Sequence, residues 1–118
     1  MPVVERNPLP RIRLTTRSEL HDWLLANHDS HAGFWLLSGR PAPDIPYEDL
    51  VEECLIFGWI DSTVQAFDEQ THGIRLTPRK SGSVWSATNK ARLARLESAG
   101  LMHPAGRHAV EIAKANGM

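Results

Sequence analysis

At 118 residues and 13.2 kDa the chain is one domain's worth of polypeptide, and a chain of that size buries about 65% of the surface it exposes when unfolded, enough for one core without staples. Its 42% hydrophobic and 23% charged residues exclude wholesale disorder. The net charge of −1, from 13 basic and 14 acidic residues, leaves no global field to draw the protein onto nucleic acid or an acidic membrane.

Residues 1–10 hold Pro2, Pro8 and Pro10 and little apolar material, which predicts a flexible arm ahead of a single domain over 11–118. From Arg11 to Thr15 polar and apolar residues alternate, as in a short strand with one buried face. Thr16 and Glu19 have the spacing of a capping box, and the helix they open carries Leu20, Trp23 and Leu24 on one stripe, ending near Asn27. Gly33 precedes a compact apolar run, Phe34 to Leu37, expected to be a central strand. A helix is predicted over Tyr47–Phe57, with four carboxylates in its first two turns, where the helix dipole favours them, and Gly58 as its left-handed stop.

Two strands, 60–67 and 73–77, should follow as a hairpin, with Pro78 ending the second. A third helix should begin near Trp85 with Ser86 as its cap, and a fourth at Pro104, a favoured first helical position. The expected class is α+β: a small, largely antiparallel sheet packed against helices, with a C-terminal helical hairpin. One core should gather Trp23, Phe34, Leu36, Leu50, Val51, Leu55 and Ile60.

Cys54 cannot form an internal disulfide and, within an apolar run, is expected to be a small buried hydrophobe. No stretch reaches the roughly 20 apolar residues of a membrane span, and Met1–Arg6 lacks the apolar core of a signal peptide. A cytoplasmic location without a membrane span is therefore expected.

Charge is segregated along the chain. Between Pro41 and Ile74 there are eight acidic residues and no Lys or Arg; between Arg75 and Arg95 there are six basic residues and no acid. The two blocks can pair with each other across the fold or across a homodimer interface, or the basic block can form a pocket for an anion. The second alternative draws on Arg75 and Thr77 from a strand, Arg79, Lys80 and Ser83 from a tight loop, and Asn89 and Arg92 from the third helix, whose first turn offers free amides. Trp59 and Trp85 would wall such a site. Trp59 and Asp61 share a strand face, where an aromatic beside a carboxylate suits a sugar or a cation, unless the tryptophan is simply core.

Metal ligation has little support: His28 and His31 lie three apart with no Cys or carboxylate pair at ligand spacing, so no metal and no cofactor is expected. Ser62, Ser83 and Ser86 lie outside any nucleophile-elbow pattern, which leaves Asp61, or a pairing of His72 with Glu69 or Asp61, as the acid–base candidate.

The motifs Phe57-Gly58-Trp59-Ile60-Asp61-Ser62, Arg75-Leu76-Thr77-Pro78-Arg79-Lys80 and Ser83-Val84-Trp85-Ser86, followed by Asn89, Arg92 and Gly100-Leu101-Met102-His103-Pro104-Ala105-Gly106, resemble the bacterial YdeI/OmpD-associated (OmdA-like, bacteriocin-protection) family over about residues 11–117. The resemblance implies a link to tolerance of bacteriocins or cationic antimicrobial peptides and supplies no catalytic residue; longer relatives carry a further helical region. The reading favoured is a non-enzymatic module that binds a small anionic ligand or an acidic protein partner, with no nucleic acid among its partners. The alternative is a small enzyme acting on a phosphorylated or carboxylated substrate with Asp61 as acid or base.

Overall fold

The computed structural model describes residues 9–39, 41–82 and 85–117; most of the predicted arm, residues 1–8, lies outside them. The elements run β1 (Arg11–Arg13), α1 (Arg17–Asn27), β2 (Phe34–Gly39), α2 (Tyr47–Phe57), β3 (Trp59–Ala66), β4 (Thr71–Pro78), α3 (Ala87–Ser98) and α4 (Pro104–Ala115). The strands form one sheet in the order β1-β2-β4-β3, with β1 and β2 parallel and the other two pairs antiparallel. The fold is α+β, and the helices α3 and α4 end the described chain.

Local chemistry sets the boundaries. The Thr16–Glu19 capping box forms, with the Glu19 carboxylate accepting from the amides of Thr15 and Thr16. The Thr15 hydroxyl, donating to the same carboxylate at 2.8 Å, and then these amides hold its carboxyl below the usual carboxylate range. Ser86 caps α3 by accepting from the Asn89 amide at 3.1 Å, two residues after the predicted start. Gly58 ends α2 at φ 76°, a conformation that glycine adopts without strain.

Strand alternation places Phe34, Leu36, Ile74 and Leu76 on one sheet face. All four helices bury residues against that side: Leu20 and Leu24 from α1, Leu50 to Phe57 from α2, Leu96 from α3, and Val110 and Ala113 from α4. Ile60 departs from expectation. It pairs with Thr77, which turns it to the opposite face, and it is only half-buried. Trp23 is likewise half-buried and packs at the edge of the core. Gly106 lets α4 lie directly on the end of α2: a Cβ there would overlap the Ile56 carbonyl. Cys54 is 1% exposed, and burial pushes its thiol far above the ordinary range, so it is an inert core residue.

The α4 N-terminus also rests on a cluster of imidazoles. His103 caps α4 by accepting the Ala105 amide at Nδ1, with its ring 4.8 Å from His28 and 5.0 Å from Phe57. Phe57 in turn lies 5.2 Å from His21. Burial, then the neighbouring His28 and His21, lower the His103 pKa, with Asp29 opposing weakly. The folded state therefore binds its proton less readily than the unfolded chain. Stability should fall as the pH drops below the ordinary value of 6.5, levelling off below the folded pKa, with a slope bounded at about 1.4 kcal/mol per pH unit for one proton. Thermal melts between pH 8 and about pH 5 should show this loss, and His103→Asn, which keeps a capping oxygen, should flatten it. An unchanged slope in the variant would assign the titration elsewhere.

Candidate functional site

Pro78 ends β4, and the chain then turns onto the end of α2, where the Arg79 amide donates to the Gly58 carbonyl at 3.0 Å. This stitch points the Arg79 side chain back along the loop, and its guanidinium stacks over the Trp85 ring at 4.0 Å. Trp85 itself is buried, at 7% exposure. Burial lowers the Arg79 pKa, opposed by nearby Cys54 and Asp61, yet guanidinium stays charged at any ordinary pH. Lys80 and Ser81 follow on the surface, and the Ser81 carbonyl accepts from Asn116 at the end of α4.

These residues face α4 across a cleft of about 170 Å³. Arg79, Lys80, Ser81, Trp85 and His108 supply its polar and aromatic wall, and Ala105, Ala109 and Ala113 its floor. Among the described residues no carboxylate lines it. The cleft can hold a group about the size of a phosphate or carboxylate with a short apolar body.

The predicted binding residues divide among four places. Arg79, Lys80 and Trp85 come together at the cleft. Asn89 and Arg92 form a separate knot that ties α3 to α2. Arg92 donates to both oxygens of Glu48, at 3.0 and 2.5 Å, and to the Asn89 side chain at 2.9 Å. Its hydrogen bonds to Glu48 raise the Arg92 pKa and lower that of Glu48. Arg95 adds a bond to Glu52 at 3.0 Å, so the acidic second helix and part of the basic block pair within the chain.

Trp59, expected as a wall, lies in the core at 1% exposure and donates from Nε1 to the His28 carbonyl at 3.3 Å. Its strand position next to the Gly58 turn aims it at the helices rather than at the loop. Arg75 and Thr77 are on the other face of the sheet, because β4 alternates and Leu76 points into the core. Ser83 lies outside the described residues. Asp61 accepts from the Tyr47 hydroxyl at 3.0 Å. Burial, followed by the Asp61 charge, raises the Tyr47 pKa. Asp61 does not line the cleft.

Sequence reasoning missed His108 and the alanine floor. Ala105, Ala109 and Ala113 recur every four residues, the spacing of one helix stripe, and that pattern was the available signal of close approach. Among the described residues no three His, Cys, Asp or Glu side chains gather as a metal-ligand set, and no helix is long and apolar enough to cross a membrane.

The profile of the family described as "Domain of unknown function (DUF8412)" matches residues 12–109, and the chain belongs to that family. No curated protein and no solved structure matches it.

Proposed function

We propose that this member of the DUF8412 family is a non-enzymatic binding module whose cleft between Arg79–Ser81, Trp85 and α4 takes a small oxyanion, borne by a metabolite or by an acidic protein partner. One observation carries the reading: a concave site with Arg79, Lys80 and His108 in its wall and, among the described residues, no carboxylate. The Arg79–Trp85 stack supports it by holding one cation in place before a ligand arrives. Catalysis by Asp61 is the weaker reading, since that carboxylate accepts from Tyr47 and lies outside the cleft wall. A cytoplasmic module of this kind would suit the resemblance to the OmdA-like proteins and a role in tolerance of bacteriocins or antimicrobial peptides.

Added phosphate or sulfate should raise the melting temperature of the protein, with micromolar to millimolar affinity that weakens as sodium chloride is added. At ten times Kd the stabilisation should be about 1.4 kcal/mol. Arg79→Ala is a poor control, because it also removes the stack on Trp85, worth about 1 kcal/mol without any ligand. Lys80→Glu is the better variant. Its side chain is exposed, so the unliganded melting temperature should stay put while the anion-dependent rise disappears. An equal rise in wild type and Lys80→Glu would remove the proposed site.

A further inference from the structure

The sheet face opposite the helices carries a second constellation, unrelated to the cleft. Arg11 on β1 pairs in register with Trp35 on β2, and Trp35 pairs with Arg75 on β4. Paired residues point the same way, so the three form a row across three strands with an aromatic between two guanidinium groups. Two strand spacings put the Arg11 and Arg75 Cα atoms about 10 Å apart.

Phe67 completes the surface. Its ring meets Trp35 edge-on at 5.5 Å, and the Arg11 guanidinium sits 3.8 Å above it. The ring can lie flat on the sheet because residue 73 is glycine: a Cβ there would collide with Phe67 and press on Trp35. Arg75 is exposed and makes no ion pair or hydrogen bond from its side chain among the described residues. The neighbouring Arg13 is held by Asp44 at 2.8 Å.

Against the expectation from composition that nucleic acid is not a partner, we propose that the open sheet face, through Arg11, Trp35, Phe67 and Arg75, binds single-stranded nucleic acid. A half-buried tryptophan on a sheet face, flanked by two exposed arginines, offers a base a stacking surface and its adjoining phosphates two cations. That combination is what distinguishes this occupant from an acidic peptide, which would use the arginines and leave the aromatic pair idle. Of the 14 acidic residues, the four on α2 lie on the other side of the sheet, where Arg17, Arg92 and Arg95 pair with them. A flat platform reads no donor–acceptor pattern, so binding should be weak and tolerant of sequence.

The test is fluorescence anisotropy of a labelled ten-nucleotide oligo-dT or oligo-U with the full chain at low salt. Wild type should bind in the micromolar range and prefer the single strand to a duplex of the same length. With two phosphates neutralised, the slope of log K against log salt should be about −1.4, falling to about −0.7 in Arg75→Ala. Trp35→Leu keeps an apolar side chain on the face and should weaken binding roughly tenfold by removing the stack; its melting curve separates that loss from unfolding. Lys80→Glu should bind as wild type does, which distinguishes the sheet face from the cleft. The proposal is overturned by no binding at about 100 μM protein, by equal binding of Arg75→Ala and wild type, by equal affinity for the duplex, or by equal affinity for an oligo-glutamate peptide.

Discussion

Leu55→Ala should destabilise the protein by about 2–5 kcal/mol, the range for emptying a packed leucine site. Leu55 is 1% exposed near the middle of α2, in a run from Leu50 to Phe57 where every residue but Glu52 is buried. α2 touches α1, α3, α4 and β3, so a void beneath it has no single neighbour free to move in and fill it. For a domain of this length the loss corresponds to a fall in melting temperature on the order of 10–20 °C. Ile60→Ala is the matched control. Its side chain is half-buried on the open sheet face, and its removal should cost under about 1.5 kcal/mol. Equal losses from the two variants would show that the core does not centre on α2.

The contrast between these two residues shows what the sequence could and could not tell. Caps and stops are local chemistry, so Thr16, Gly58, Ser86 and Pro104 marked their helix ends from the sequence alone. Strand faces were harder. Trp59, Ile60 and Asp61 alternate whichever way the strand is turned, and only pairing with β4 decides that Trp59 faces the core and Ile60 does not. The same ambiguity let Arg75 and Arg79 look like members of one site. They are four residues apart, yet the strand sends Arg75 to the open face and the turn after Pro78 folds Arg79 back toward α4.

Half of the cleft was invisible for a different reason. Its second wall, with His108, comes from a helix about 30 positions later in the chain, and no spacing rule links two segments that far apart. Charge segregation was a true signal of pairing, since Arg92 and Arg95 of the basic block meet Glu48 and Glu52, but it left out one basic partner. The residue that binds the most acids of α2 is Arg17, from the first helix, outside the basic block.

That arginine carries the last expectation. Arg17 donates to Glu53 at 2.7 Å, to Glu52 at 2.9 Å and to Asp49 at 3.1 Å, joining α1 to α2 through one guanidinium. Burial opposes its charge, but the hydrogen bonds and charges of Glu53 and Glu52 outweigh that and raise its pKa. Of the three acids only Glu53 is inside, with 4% of its side chain exposed, and its other oxygen meets His21 at 2.6 Å. Removing one partner of a buried pair leaves the other charge uncompensated, at a cost of about 3–5 kcal/mol. The Arg17 side chain is 34% exposed, and water that reaches it reduces the figure for Arg17→Ala to roughly 2–4 kcal/mol. Removing both members should cost less than the single change suggests. In the double variant Arg17→Leu with Glu53→Leu, no buried charge is stranded and two apolar side chains pack at the α1–α2 seam, so most of the stability should return. Urea unfolding of wild type, both single variants and the double variant measures the coupling. If the single losses simply add in the double variant, the pair contributes no interaction energy and the seam is held by its apolar contacts alone.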